Sequence, residues 1–272
     1  MPGHNRTVLI TGASAGIGAV TAHWLLERGW RVIAAARRLE AMRPLAEQGA
    51  LVLPLDLSDA ASRASLAARV AEEVGALDAL INNAGFAAVG PVETMTLDQA
   101  RAIFEVNVFG LIGLTQLLLP AMREQRRGRI VNVSSIAGRW VTPGSGWYGA
   151  SKFALEALSD ALRLELRAFG LDVVLIEPGL IRSDFAGVAA PSMLQAGACG
   201  IYGAMMQRVQ TGWQRVYRQA SEPETVARTI ERALSQRSPA ARYLCGHQSS
   251  SVWASRILPT GLWDALIRKQ MT

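Results

Sequence analysis

Thr7-Val8-Leu9-Ile10-Thr11-Gly12-Ala13-Ser14-Ala15-Gly16-Ile17-Gly18 is the stretch that decides the fold. Residues 7–10 form a short β-rich apolar run. Glycines follow, and a helix-like pattern covers 16–28. Outward from this strand–turn–helix unit the same alternation repeats. Apolar strand candidates lie at 31–35, 51–55, 78–81, 129–134, 172–177 and 242–245. The stretches 60–74, 97–123, 148–169 and 224–236 between them suit helices. Strands alternating with helices of this length predict a parallel sheet, and strands with few charges agree with burial on both faces. The expectation is an α/β protein, a doubly wound parallel sheet of about seven strands in a single domain.

Composition narrows the function classes. Half of the 272 residues are hydrophobic and 18% are charged, which supports a large core. The formal net charge is +6, but the arginines are scattered among Glu and Asp. No basic stripe or aromatic platform accompanies them, so nucleic acid is not an expected partner. Cys199 and Cys245 are far apart, which predicts neither a disulfide framework nor a metal site and fits the cytoplasm. No signal segment is visible, and the longest uncharged stretch, 186–207, is interrupted by Pro191 and four glycines. No transmembrane span is expected.

In a doubly wound sheet, ligands sit at the carboxyl ends of the strands. After the first strand, Gly12, Ser14, Gly16, Ile17 and Gly18 form a turn that lets backbone N–H groups approach a diphosphate at a helix N-terminus. Its G-x-x-x-G-x-G spacing differs from the more widespread G-x-G-x-x-G. After the second strand come Ala36, Arg37 and Arg38. No acid is present to hold a ribose 2′-hydroxyl, and guanidiniums suit a 2′-phosphate. After the third, Asp56 with Leu57 is placed to meet the adenine. After the fourth, Asn83, Ala84 and Gly85 form a turn of small residues. Ser135 follows the fifth strand, and Tyr148 and Lys152 stand at i and i+4, on one helix face. A neighbouring ammonium favours the phenolate, so Tyr148 is expected to titrate below the ordinary value near ~10. Read singly, each feature has a plainer meaning: a bare connection, a solvated arginine pair, a helix cap, a polar turn, a surface Tyr/Lys pair.

Together, 11–18, 82–85, Ser135, Tyr148, Lys152 and Pro178-Gly179 occur in an order and spacing similar to the short-chain dehydrogenase/reductase family, over roughly residues 6–183. The resemblance implies a Rossmann fold and reversible hydride transfer between a nicotinamide and a carbonyl or alcohol. It implies that Tyr148 is the proton donor or acceptor, that Ser135 orients the substrate oxygen, and that Lys152 tunes Tyr148 and holds the nicotinamide ribose. Asn107 resembles the family's asparagine that supports a water-mediated proton relay. Pro178-Gly179 would pass beneath the nicotinamide, with Ile181 and Ser183 near its carboxamide; Ser183 stands where the family usually has threonine. With Arg37 and Arg38, the expected cofactor is NADP(H).

Residues 184–222 are expected to cover the substrate. The uncharged stretch 186–207 carries Met193, Leu194, Tyr202, Met205 and Met206, and Trp213 follows. Methionines adapt to apolar ligands, which favours a medium-sized apolar carbonyl or alcohol, although these residues also suit the core faces of two ordinary helices. The pattern around 177–182 and the extension 247–272 look like 17β-hydroxysteroid-dehydrogenase-like members. The amphipathic tail 253–269 is expected to pack on the domain or a partner subunit rather than on a membrane surface. Phe109, Leu117 and Leu158, on the outer faces of two helices, predict a homodimer or homotetramer. The alternatives are a catalytically silent NADP-binding sensor or scaffold and an NAD-dependent alcohol dehydrogenase of the same fold.

Overall fold

A computed structural model describes residues 6–182 and 200–270. β1 (Thr7–Thr11) is wholly buried and leads into α1 (Gly16–Leu26). β2 (Arg31–Ala36), α2 (Arg43–Glu47), β3 (Leu51–Pro54), α3 (Ala60–Val74) and β4 (Ala79–Asn82) complete the first half. α4 (Leu97–Phe104), α5 (Leu111–Glu124), β5 (Gly128–Val133), α6 (Gly146–Leu166) and β6 (Leu171–Pro178) follow. After them come α7 (Gly203–Tyr217), α8 (Glu224–Ser235), β7 (Arg242–Cys245), α9 (Ser251–Ile257) and α10 (Thr260–Gln270).

The seven strands form one parallel sheet in the order β3-β2-β1-β4-β5-β6-β7. The side chains of β1 explain the unbroken apolar run. Val8 and Ile10 enter the core layer that also holds Leu25 of α1 and Ile230 of α8, whereas Leu9 enters the opposite layer with Leu66 of α3 and Leu114 of α5. Both faces are thus apolar, as parallel strands under helices require. The chain winds outward in two directions from β1 and β4, so their carboxyl ends flank the topological switch point, where open α/β sheets bind ligands.

The long helix expected over 97–123 is instead two helices joined by a π-helical segment, Glu105–Gly110. A capping box starts α4: Thr96 Oγ1 accepts from Gln99 N, and the Gln99 side chain accepts from Thr96 N. At the other end of the π segment, a Cβ on Gly110 would collide with the Leu57 carbonyl oxygen. Apolar periodicity did not reveal this segment, because apolar residues run through it without a break signal. The run Leu97–Glu124 is long and apolar enough to cross a membrane by length and composition. Here Ile103, Leu111, Leu114, Leu118 and Met122 are buried against the domain.

Candidate active site

The turn after β1 is pinned from β4. Thr11 Oγ1 accepts hydrogen bonds from Asn83 N (3.0 Å) and Ala84 N (3.1 Å). Asn83 Nδ2 donates back to Thr11 O (3.0 Å) and Gly12 O (3.3 Å). Gly12 adopts φ +70°, and a Cβ there would lie 2.8 Å from Ala84 Cα. Glycine therefore serves both the left-handed conformation and the close approach of the two turns. α1 then begins at Gly16, after Ala15, with no side-chain cap and no acid in its first turn. Its N–H groups and positive dipole end suit an anion. Gly12, Ser14, Gly16, Ile17, Gly18, Asn83, Ala84 and Gly85 are thus gathered at the switch point, and Thr11 is the member that sequence reasoning left out.

Beyond β2, Ala36 is buried, while Arg37 and Arg38 are exposed. Arg38 donates to Ser14 Oγ (3.3 Å), on the glycine turn. Asp56 does not cap α3; Asp59 does, accepting from Ala61 N (2.9 Å). Asp56 Oδ1 accepts instead from Ser58 Oγ (2.7 Å) and Ser58 N (2.9 Å). These bonds, with a smaller contribution from Arg37, hold its carboxyl below the usual carboxylate range. The Leu57 side chain is packed in the core, so it offers a cofactor no side-chain contact.

The residues expected to react converge across the sheet. α6 is anchored by a buried polar chain in which Asn82 Nδ2 donates to Thr115 Oγ1 and Asn132 Oδ1, and Asn132 Nδ2 donates to Ser159 Oγ. Lys152, also buried, donates from Nζ to Val133 O (2.9 Å), and this Nζ lies 5.9 Å from the centre of the Tyr148 ring. Ser135 follows β5, accepts at Oγ from Ala137 N (3.1 Å) and is hydrogen-bonded to Tyr148. Asn107, wholly buried in the π segment, uses its side chain to clamp a loop: Oδ1 accepts from Phe86 N, and Nδ2 donates to Phe86 O and to Ser151 Oγ on α6. With its amide engaged in this way, the side chain positions its neighbours rather than reaching the reacting atoms. Pro178 ends β6, and Gly179 N donates to Cys245 O (2.8 Å). Ile181 is buried against Gly246. Ser183 lies outside the described residues.

One expectation is reversed. Burial pushes the Tyr148 phenol up, not down, to about 12, and the Ser135 hydrogen bond offsets this only in part. Lys152 is turned onto Val133, and burial lowers its own ammonium to about 8 against the opposing pull of Glu156. Desolvation thus outweighs the lysine's charge at the phenol. At neutral pH Tyr148 thus carries its proton, the form that carbonyl reduction would need of a donor, and Lys152 carries its charge nearby. Reduction is therefore expected to hold steady below about pH 8 and to fall above it as Lys152 loses its proton. A kcat/KM profile for a ketone that stays flat well above that pH would refute this.

Three of the expected substrate-side residues lie outside the described residues or at their margin: Met193 and Leu194 are among 183–199, and Tyr202 follows shortly after. Tyr202 donates to Glu93 Oε2 (2.5 Å), tying the start of α7 to the rim after β4. Met206 is buried, and Gly144 has room for its Cε. Val141 leans on Gly149, next to Tyr148. Trp213 stacks on Tyr217 (4.6 Å). The tail packs partly on the domain: Val252 and Ile267 are buried, and Trp263 meets Trp140 edge-on at 5.3 Å. Its Trp253, Ile257, Leu262 and Leu266 are exposed. Among the described residues, no group of three or more His, Cys, Asp or Glu could hold a metal ion.

Comparison with known proteins bears on this site. Residues 6–193 match the short chain dehydrogenase family. The chain is 34% identical to a probable short-chain type dehydrogenase/reductase, VdlC, of Helicobacter pylori, over 96% of each protein. It is 33% identical to human retinol dehydrogenase 5, covering 98% of this chain and 89% of that one. A solved short-chain dehydrogenase from Streptomyces avermitilis superposes with a TM-score of 0.78 at 31% identity, over 99% of this chain and 96% of that one. Two further solved neighbours differ in cofactor. A serine dehydrogenase holds NADP+ (TM-score 0.75, 28% identity, 87% and 92% coverage), and a Burkholderia phymatum enzyme holds NAD (0.79, 26%, 93% and 92%). The match spans well over half of the chain, and the seven-stranded parallel sheet agrees with the solved neighbours: the chain belongs to the short-chain dehydrogenase/reductase family, oxidoreductases that act on CH–OH and C=O groups.

Proposed function

We propose that this chain uses NADP(H) to interconvert a medium-sized apolar carbonyl compound and its alcohol. The observation that carries the cofactor choice is the end of β2: a buried Ala36 where an acid would select NAD, followed by Arg37 and Arg38, with Arg38 drawn over the glycine turn by Ser14. In the bound state Gly12, Ser14 and the start of α1 would hold the diphosphate, the arginines a 2′-phosphate, and Lys152 the nicotinamide ribose. The cofactor supplies or takes the hydride. The chain's own residues orient the substrate oxygen at Ser135 and exchange the proton at Tyr148 Oη.

On the substrate side, the exposed Val141 leans on Gly149 beside Tyr148 and supplies apolar surface, and one relative is named for retinol. A panel of carbonyls and alcohols with both cofactors, followed by nicotinamide absorbance, tests the reading. Across a homologous ketone series, kcat/KM is expected to rise with apolar length, by roughly threefold to fourfold for each CH2 buried, since a CH2 is worth about 0.8 kcal/mol. Preference for the shortest or for charged members would contradict it. Binding of NADP without turnover of any member would favour the sensor alternative.

The proposed assembly is a homodimer or homotetramer in the cytoplasm. The π segment, α5 and α6 expose Phe109 (60%), Leu117 (48%), Leu158 (38%) and Leu164 (65%), apolar area that a second copy would cover. Light scattering is expected to give at least twice the monomer mass of 29.2 kDa; a monomer at micromolar concentration would rule this out. The reducing compartment agrees with Cys245, a free buried thiol whose pKa burial raises to about 11.

A further inference from the structure

Behind Lys152 lies a cluster that the reaction scheme above does not use. Glu156 stands one helical turn beyond Lys152 on α6, and Glu177 is the last residue before the Pro178-Gly179 turn. Both are buried, with side chains 6% and 2% exposed. Arg139, which closes the short 3-10 turn after Ser135, approaches Glu156 Oε2 at 3.4 Å and Glu177 Oε1 at 3.8 Å. Arg242 of β7 approaches the same two atoms with Nε, at 3.1 and 3.2 Å. Its other arm is committed to Asp160 Oδ2 (2.6 Å), which Arg163 also contacts.

One oxygen is left over and a second is held only loosely. Glu156 Oε1 is buried with no hydrogen-bond partner, and Glu177 Oε1 meets Arg242 and Arg139 as ion pairs without hydrogen-bond geometry. Glu156 Oε2 and Glu177 Oε1 lie 3.1 and 3.2 Å from one nitrogen, Arg242 Nε, which brings the two carboxyl groups side by side. Two carboxylates cannot bond to one another without a proton, and a buried oxygen without a donor costs about 1–3 kcal/mol, more when charged. One proton between the groups removes both difficulties. We propose that Glu156 and Glu177 share a single proton, and that this carboxyl–carboxylate pair is a positioning unit that sets the charge felt by Lys152 and ties the Ser135 turn to the Pro178-Gly179 turn.

The groups facing the pair come from every element around it: Lys152 and Asp160 with Arg163 from α6, Arg139 from the turn after β5, Arg242 and Cys245 from β7, and Arg232 of α8 beyond Cys245. Burial, and next the Glu156 charge, hold the Glu177 carboxyl above the ordinary carboxylate range, against the pull of Arg139 and Arg242. Glu156 in turn raises the proton affinity of Lys152. As pH rises, the pair passes from one negative charge to two, and the second charge helps Lys152 keep its proton. The pair thereby extends upward the pH range over which Tyr148 can work. This role rests on the oxidoreductase reading, but the shared proton does not.

The test uses the whole protein and no turnover. The chain has only two lysines, Lys152 and Lys269, so Lys152 can be titrated by NMR in lysine-labelled protein. Carboxyl-labelled glutamate marks the infrared stretch of a protonated carboxyl group. In the wild type, an isotope-sensitive protonated-carboxyl band should be present below neutrality and fade around pH 7, the value to which the Glu177 carboxyl is raised, far above the range of a free carboxyl. Glu177→Gln keeps the shape, donates to Glu156 and fixes the pair at one charge. It should abolish the band and lower the Lys152 midpoint by roughly half a unit or more, a threefold change in proton affinity. Glu156→Gln should do the same. Absence of the band in the wild type overturns the shared proton, and needs no variant that must fold. An unchanged Lys152 midpoint in both folded variants overturns the positioning role. A wild type that turns over no carbonyl, yet shows band and shift, would sink the oxidoreductase reading and leave the pair standing.

Discussion

Replacing Tyr148 with phenylalanine is expected to lower turnover by about 10²–10⁴-fold, the range that one positioned acid contributes, while cofactor affinity changes no more than a few-fold. Phenylalanine keeps the ring beside Lys152 and removes only the hydroxyl that Ser135 contacts. Because burial holds that phenol in its protonated form at neutrality, no other group in the described site is poised to give a proton to a substrate oxygen. The Lys152 ammonium points to Val133 O, and Asn107 is spent on Phe86 and Ser151. Single-turnover kinetics with bound reduced cofactor would isolate the chemical step. Residual activity above roughly a tenth of wild type would mean that Tyr148 is not the acid.

That same tyrosine marks how far the sequence can be read. Its place was legible because Tyr148 and Lys152 are one helical turn apart and Ser135 follows a strand. The direction of its pKa was not, because desolvation depends on what the fold packs around the phenol and spacing records only the lysine. All seven strands were legible, since two-sided burial leaves a continuous apolar run such as Val8–Leu9–Ile10. The π segment at Glu105–Gly110 was not, nor was the helix Gly203–Tyr217, whose apolar residues read equally as a lid or a core. The buried acids were missed although one signal was present: Glu177 is a charged residue in the strand Leu171–Pro178, separated from the half-exposed Asp172 by the apolar run Val173–Ile176, and such a residue in a two-sided strand needs a partner. Glu156 could be paired with it only through the fold. That Asp59 and not Asp56 caps α3 was not legible either, since an Asx turn and a helix cap use the same residue types a few positions apart.

The end of β2 gives the second large effect. Wild type is expected to prefer NADPH over NADH by roughly ten- to a hundred-fold in kcat/KM, because one charge-assisted hydrogen bond to a 2′-phosphate is worth about 1.5–3 kcal/mol and 1.4 kcal/mol is tenfold. Arg37 and Arg38 are both exposed, which pushes the value toward the lower limit. The structure divides their tasks. Arg38 is already turned onto the glycine loop by Ser14 Oγ, whereas Arg37 lies near the Asp56 carboxylate. Arg38 is therefore the better placed for the phosphate, and Arg37 offsets the negative charge of Asp56, which would otherwise repel it. Ala36→Asp combined with Arg37→Ala should then reverse the preference. The new carboxylate would stand at the carboxyl end of β2, accept from a ribose 2′-hydroxyl, and repel a phosphate, while the loss of Arg37 leaves Asp56 uncompensated. Arg38→Ala alone should erase most of the preference without creating one for NADH, since it removes an attraction and adds no repulsion. Measuring kcat/KM for both cofactors on one ketone, in wild type and the two variants, separates these effects. A wild type that prefers NADH, or a double variant that still prefers NADPH, would mean that the guanidiniums at this turn do not read the 2′-phosphate.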